Sequence, residues 1–260
     1  MEQKPQSAKT LSGIIITGAS SGIGEALAVL YARPGVLLAL TGRDAERLNA
    51  VAASCRQRGA IVEAETVAVT DRAAMQAFIE TIASKSQLDL VIANAGVGGG
   101  FKTWDQFDGH VRAITDVNIG GVLNTVNPVV PIMVRQGGGQ IAIVSSMAGF
   151  LSMPGAAPYS ATKHFARSYA EELRGMLAPR GIRVSAICPG FVVSRMTARN
   201  KFPMPFLMDT DKAARIIRRG LAANRGRIAF PWPMLAMIRV LGLLPYPLLD
   251  WILRRSPAKD

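Results

Sequence analysis

Tyr159 and Lys163 stand four residues apart, so on a helix their side chains share a face. A phenol of ordinary pKa, about 10, is a poor base at neutral pH, but an ammonium beside it favours the phenolate and would lower that value. Such a pair can give and take a proton. Ser146, at the end of an apolar run, offers a hydroxyl able to polarise a carbonyl, and Asn118 lies in a stretch of helical pattern. A Tyr-x-x-x-Lys pair on its own also occurs on solvated helix faces, so its meaning depends on what surrounds it. His164 follows Lys163 and points about 100° away from it on a helix, which reads as a surface or packing role, and neither it nor His110 is read as catalytic. Cys55 and Cys188 lack the paired spacing of a structural zinc site, and Cys188, between Ile187 and Pro189, reads as a small buried hydrophobe. No metal is expected.

These side chains need a scaffold, and the first two-thirds of the chain supply one. Short apolar runs at 14–16, 36–40, 61–69, 88–93, 141–144 and 184–187 alternate with helix-length amphipathic segments such as 24–32 and 159–177. Continuous β-branched runs are the signature of parallel strands buried on both faces, and their alternation with helices predicts repeated βαβ units. In an open sheet of this kind ligands bind outside the carboxyl ends of the strands. After the first run comes Thr17-Gly18-Ala19-Ser20-Ser21-Gly22-Ile23-Gly24, where glycines permit a tight turn and let a pyrophosphate approach backbone N–H groups at a helix start.

The order of these features resembles the short-chain dehydrogenase/reductase family: a T-G-x-x-x-G-x-G turn, an N-A-G at Asn94-Ala95-Gly96, a helical Asn118, Ser146 thirteen residues before Tyr159-x-x-x-Lys163, and a P-G after the sixth strand. The resemblance runs from about residue 14 to 196. It implies a single-domain α/β, Rossmann-like, doubly wound parallel sheet with helices on both faces. It also implies an oxidoreductase that moves hydride between a nicotinamide and a carbonyl/secondary alcohol pair. In that light Thr17, Gly18, Ser20, Ser21, Gly22, Ile23 and Gly24 look like the cofactor turn, with Asn94, Ala95 and Gly96 on the adenosine side. Tyr159 looks like the general acid/base and Ser146 like the carbonyl-orienting hydroxyl. Lys163 would lower the tyrosine pKa and bond the nicotinamide ribose, and Asn118 would hold a water linking Lys163 to solvent. Pro189, Gly190, Val192 and Ser194 look like the segment contacting the nicotinamide amide. Two departures stand out: Ala68 replaces the Asp that often contacts adenine, leaving the backbone of Val69 for that task, and Ala93 replaces the first Asn of N-N-A-G.

At the end of the second strand an acid would bind the ribose 2′-hydroxyl of NAD, whereas a base would accept the 2′-phosphate of NADP. Gly42 stands where NAD enzymes of the family carry Asp, and Arg43 offers a guanidinium fork suited to phosphate, so NADP(H) is expected. Asp44 argues the other way unless it is a helix N-cap. Two rival readings are an NAD-linked alcohol dehydrogenase and a catalytically silent nucleotide-binding module with a contacting tail.

Composition completes the picture. The 260 residues are 49% hydrophobic and 18% charged, which excludes disorder. Net charge is +12, and its distribution is uneven: residues 1–194 hold 17 basic and 14 acidic side chains, residues 195–260 hold 13 and 4. The chain divides into a tail at 1–10, a catalytic domain at 11–230 with a substrate lid near 195–215, and a hydrophobic, basic extension at 231–260. Within the lid, Phe202, Met204, Phe206 and Met208 would line an apolar pocket, which points to a bulky or hydrophobic substrate. The extension is interrupted by Arg239, Pro245 and Pro247 and is no conventional spanning helix. It either lies in a membrane interface, through 231–255, or packs over the cleft or against another subunit. No nucleic-acid motif accompanies the basic residues. A cytoplasmic or membrane-associated homodimer or homotetramer is expected.

Overall fold

The computed structural model describes residues 12–99, 103–152, 158–200 and 202–255. The expected tail at 1–10 and the last five residues of the expected extension lie outside them. Strands and helices alternate: β1 (Gly13–Thr17), α1 (Gly22–Tyr31), β2 (Leu37–Thr41), α2 (Ala45–Gln57), β3 (Ile61–Glu65), α3 (Arg72–Lys85) and β4 (Leu88–Ala93). Then follow α4 (Phe107–Thr115), a π-helical turn (Asp116–Gly120), α5 (Gly121–Val126), α6 (Val129–Gln136), β5 (Gly139–Val144) and α7 (Tyr159–Leu177). The chain continues through β6 (Ile182–Pro189), α8 (Thr210–Ala222), β7 (Arg227–Phe230), α9 (Trp232–Leu241) and α10 (Tyr246–Leu253).

The strands form one parallel sheet in the order β3-β2-β1-β4-β5-β6-β7, which is the doubly wound architecture expected. Adjacent strand residues face opposite ways, so the two faces bury different side chains. Ile14, Ile16, Leu38 and Ile92 pack with Leu27, Leu48 and Ile217 of α1, α2 and α8. Ile15, Ala39 and Val91 pack with Met75, Val126, Met133 and Leu173 of α3, α5, α6 and α7. The helical run Trp104–Gln136 is apolar and long enough to cross a bilayer by composition alone. It passes through the π turn and buries Ile114, Val122, Val126, Val129 and Met133 inside the protein, where α5 and α6 lie on β4.

Two expectations about strands need correction. The third apolar run spans 61–69 in the sequence but pairs only over Ile61–Glu65, because Val67 and Val69 turn inward into the core between the sheet, α3 and α5 instead of continuing the ladder. A seventh strand, Arg227–Phe230, was not expected. It is short and carries an exposed Arg227, yet it pairs with the end of β6 from Ala186 to Pro189.

Candidate active site

Tyr159 opens α7, and Lys163 follows one turn later on the same face. The Lys163 ammonium lies 5.7 Å from the Tyr159 ring centroid and donates to the Val144 carbonyl at 2.9 Å. Burial pushes its pKa down to about 8, because desolvation penalises the charged form. The Tyr159 hydroxyl is hydrogen-bonded to Ser146. Burial raises the phenol above its ordinary value, and the Ser146 bond offsets part of that rise. The sequence expectation of a phenol lowered by its ammonium neighbour is therefore reversed in this geometry. The ammonium approaches the ring, its hydrogen bond goes to Val144, and desolvation is the largest influence on the phenol.

The loops around this pair are fastened by backbone bonds that residue types alone could not reveal. Ser146 accepts from the Ala148 N–H at 3.1 Å, which holds the turn after β5. Ser145 donates to the Lys163 carbonyl at 2.6 Å, fixing the first turn of α7 to that strand end. Asn118 sits in the π turn, a local irregularity frequent at functional sites. Its Oδ1 accepts from the Val97 N–H at 2.8 Å, and its Nδ2 donates to the Val97 carbonyl at 2.9 Å and to Thr162 Oγ1 at 3.0 Å. An atom added at Gly96 would stand 3.3 Å from both Asn118 Oδ1 and Lys163 Nζ. Asn118, Ser146, Tyr159 and Lys163 thus converge on the carboxyl ends of β4 and β5. Ser145, Thr162 and Val97 complete the arrangement; only Ser145, closing the strand, carried any sequence signal.

The glycine turn is stitched to the loop after β4. Thr17 Oγ1 accepts from the N–H groups of Asn94 and Ala95, both at 3.1 Å, and Asn94 Nδ2 donates to the carbonyls of Thr17 at 2.9 Å and Gly18 at 3.1 Å. Gly18 has φ +64, and a Cβ there would stand 2.8 Å from Ala95 Cα; one at Gly24 would overlap the Gly18 carbonyl and the Asn94 amide. Ser21 makes no side-chain cap to α1, so the first N–H groups of that helix are available to an anion. Ser20 and Ile23 lie in the same turn, and Gly22 faces Ser194. A close-approach cradle ending in an uncapped helix start fits a dinucleotide pyrophosphate.

At the end of β2, a Cβ on Gly42 would meet Ser20 Cβ at 2.9 Å, so a side chain there would have to displace Ser20. Arg43 is exposed beside it. Asp44 caps α2, accepting from the Arg47 N–H at 3.0 Å and pairing with its guanidinium at 2.9 Å. The Val69 carbonyl accepts from Asn124 at 2.9 Å.

Pro189 ends β6, and Gly190 donates its N–H to Phe230 at 2.7 Å. Val192 pairs with Met208 in an isolated parallel bridge that closes the base of the following loop. Ser194 exchanges hydrogen bonds with Thr197, a residue the sequence did not single out. The four residues expected to line an apolar pocket have different surroundings. Phe202 stacks edge-on against Phe191 at 5.9 Å and Met204 Sδ accepts from Asn200, whereas Met208 is buried in the core and Phe206 is half exposed. Met208 turns inward because its backbone is tied to Phe191 and Val193 on either side of Val192.

Comparison with known proteins agrees with this geometry. The model of the short chain dehydrogenase family matches residues 12–203. An uncharacterized oxidoreductase of Myxococcus xanthus is 40% identical over 246 residues, covering 93% of this chain and 96% of that protein. A short chain dehydrogenase/reductase of Burkholderia phymatum, solved in complex with NAD, superposes with a TM-score of 0.83 at 26% identity, covering 98% of this chain and 99% of its own. A short-chain dehydrogenase of Sphingobium yanoikuyae, solved with NADPH, superposes with a TM-score of 0.78 at 28% identity, covering 91% and 97%. With a glycine cradle, a Ser-Tyr-Lys cluster and these relatives together, the chain belongs to the short chain dehydrogenase family and is an NAD(P)-dependent oxidoreductase acting on the CH–OH/C=O pair.

Proposed function

We propose that this enzyme is an NADP(H)-preferring reductase of bulky, apolar carbonyl compounds, with Tyr159 as proton donor. The observation behind this reading is the Tyr159 hydroxyl, hydrogen-bonded to Ser146 and raised above the ordinary phenol range. A phenol held protonated at neutral pH is the form that carbonyl reduction consumes. The nicotinamide, when bound, supplies the hydride. Ser146 and Tyr159 together present hydroxyls to a carbonyl oxygen entering between them, and Tyr159 gives its proton as negative charge develops there. The phenolate left behind faces the Lys163 ammonium, whose charge is retained below a pH of about 8. Asn118 secures the loop after β4, and its Oδ1 keeps a second lone pair for the water expected beside Lys163.

The dinucleotide reading assigns the pyrophosphate to the turn from Gly18 to Gly24 and to the start of α1. The nicotinamide amide is assigned to the segment from Pro189 to Ser194, and the adenine to the loop that holds the Val69 N–H. The 2′-phosphate falls to Arg43, since Gly42 carries no acid and Asp44 is engaged with α2. Pairing of subunits through the helices flanking β5 would use α6 and α7, and sedimentation equilibrium reads it directly.

Steady-state consumption of NADPH and NADH against ketones graded from small and polar to bulky and apolar tests the reading. Turnover is expected with NADPH on the bulky members, and Tyr159→Phe is expected to lose ~10²–10⁴-fold in kcat while binding cofactor normally. Arg43→Ala should raise the KM for NADPH by ~10–100-fold, the loss of a charge-assisted bond, and leave that for NADH in place. Equal KM values for both cofactors in the wild type would end the NADP(H) assignment.

A further inference from the structure

The end of the chain presents an apolar surface that the active-site reading leaves unused. In α9, Met234 is buried with its sulfur against Gly190, and Leu235, Ile238 and Leu241 are half-buried on the same inner side. The opposite stripe, Trp232, Ala236, Val240 and Leu243, follows helical spacing and faces outward, with Trp232 77% and Leu243 85% exposed. After the turn at Pro245, α10 buries no side chain fully and leaves Tyr246, Leu248 and Trp251 exposed as well. Monomeric proteins rarely leave so many large apolar side chains contiguous in solvent.

The charges on this surface select among possible occupants. Residues 232–255 contain Arg239, Arg254 and Arg255 and a single acid, Asp250, which is half-buried and already paired with Arg254 at 2.9 Å. The Arg255 guanidinium stacks 3.9 Å from the Trp251 ring centroid and donates to the Trp251 carbonyl, placing a cation beside an aromatic at the outer end of α10. A two-fold contact with a second copy would pair this patch with itself, and residues 232–255 offer its arginines no acid beyond the Asp250 already held by Arg254. A negatively charged sheet of lipid headgroups over hydrocarbon matches both components. Tryptophan and tyrosine rings seat at that boundary, while arginines keep their heads among the phosphates. At about 15 Å and 12 Å long, α9 and α10 are too short to cross a hydrocarbon core of about 30 Å, so they would lie in its plane.

We infer that α9 and α10 form a docking platform for an anionic lipid surface. Because α9 follows β7 and rests against Gly190, the platform lies at the carboxyl edge of the sheet, the edge to which the Ser146–Tyr159 cluster belongs. The inference stands apart from the cofactor and substrate assignments, and its test does not use activity.

Flotation of the full-length protein with vesicles of phosphatidylcholine and phosphatidylglycerol, beside vesicles of phosphatidylcholine alone, measures the interaction. The wild type is expected to float with the anionic vesicles and to be released as salt is raised. Trp232→Ser with Leu243→Ser should lower the partition coefficient at least about tenfold on those vesicles. Arg239→Gln with Arg255→Gln should lower it by about fivefold per arginine and remove the preference for the anionic composition. Met176→Ser, at an exposed apolar site in the last turn of α7 at the opposite edge of the sheet, should bind as the wild type does. Unchanged unfolding midpoints show that the variants remain folded. Equal partitioning on both vesicle types, or binding by Trp232→Ser/Leu243→Ser that matches the wild type, overturns the inference. So does a wild type that stays off vesicles while the Trp232→Ser/Leu243→Ser variant breaks apart an oligomer, which would give the surface to a second copy.

Discussion

Lys163 concentrates the physical tension of the site in one residue. Its pKa is about 8 in the folded protein against an ordinary 10.5, because its ammonium is buried. Between those values the unfolded chain still holds a proton that the native state has released, so stability rises with pH across that window. Below pH 8 both states are protonated and the whole cost of burying the charge is present, ~3 kcal/mol at 1.36 kcal/mol per pKa unit. Lys163→Met, which removes the charge but leaves the Val144 carbonyl without its donor, is expected to exceed the wild type in stability by ~1–3 kcal/mol at neutral pH. The advantage should shrink as the pH climbs toward 10.5. Urea unfolding of both proteins near neutrality and near pH ~10 decides it; a gap that does not change with pH removes the buried ammonium as its cause. Under the proposed chemistry the same titration would enter catalysis, since loss of the ammonium would strip support from a developing phenolate. In the reducing direction kcat/KM should be level below pH about 8 and fall above it.

Among the elements, α7 is the most legible: the pattern of residues 159–177 predicts a helix, and Tyr159–Leu177 is one. An amphipathic repeat that ends before a proline states both its type and its end. β7 was not legible, because four residues with Arg227 exposed make no apolar run, and the strand exists through its neighbours. The π turn at Asn118 also escapes a sequence reading, since one inserted residue leaves helical periodicity almost intact. For the site the division is similar. Asn118, Ser146, Tyr159 and Lys163 could be picked out by type and spacing, but their anchors are largely backbone groups such as the Val97 and Val144 carbonyls, which any residue could supply. One such anchor joins three elements. Arg167 of α7 donates to the Gly149 carbonyl at 2.8 Å and to Glu171 at 3.0 Å, Arg227 of β7 donates to Glu171 at 2.8 Å, and both guanidiniums lie about 5 Å from the Phe150 ring. Glu171→Gln is expected to lower stability by ~1 kcal/mol, a loss that narrows in high salt because the pairs are partly exposed. Arg167→Leu also frees the Gly149 turn behind Ser146 and should lower kcat several-fold without changing cofactor affinity. A Glu171→Gln loss of stability that is the same at low and high salt would show that packing on Phe150, and not charge, holds the three elements together.

Across the whole molecule, the proposed dinucleotide site draws on loops that follow β1, β2, β3, β4 and β6, so its occupant would touch loops spread over most of the sheet. A ligand that binds the folded chain alone stabilises it by RT ln(1 + [L]/Kd), ~2.7 kcal/mol at a hundredfold excess over Kd. For a chain of this size each kcal/mol shifts the midpoint by roughly 2–4 °C, so a saturating cofactor should raise Tm by ~5–10 °C. If Arg43 holds a 2′-phosphate, NADPH should raise Tm more than NADH at equal concentration, by ~1.5–3 kcal/mol in binding terms. Arg43→Ala should bring the two curves together by lowering the NADPH shift alone. Gly24→Ala, whose Cβ would overlap the Gly18 carbonyl and the Asn94 amide, should lower Tm without ligand and blunt both shifts, because it deforms the cradle common to either cofactor. Thermal unfolding needs no substrate, and so it separates a wrong cofactor assignment from an untested substrate. Equal shifts for NADH and NADPH in the wild type would move the ribose contact away from Arg43 and leave the Tyr159 chemistry standing.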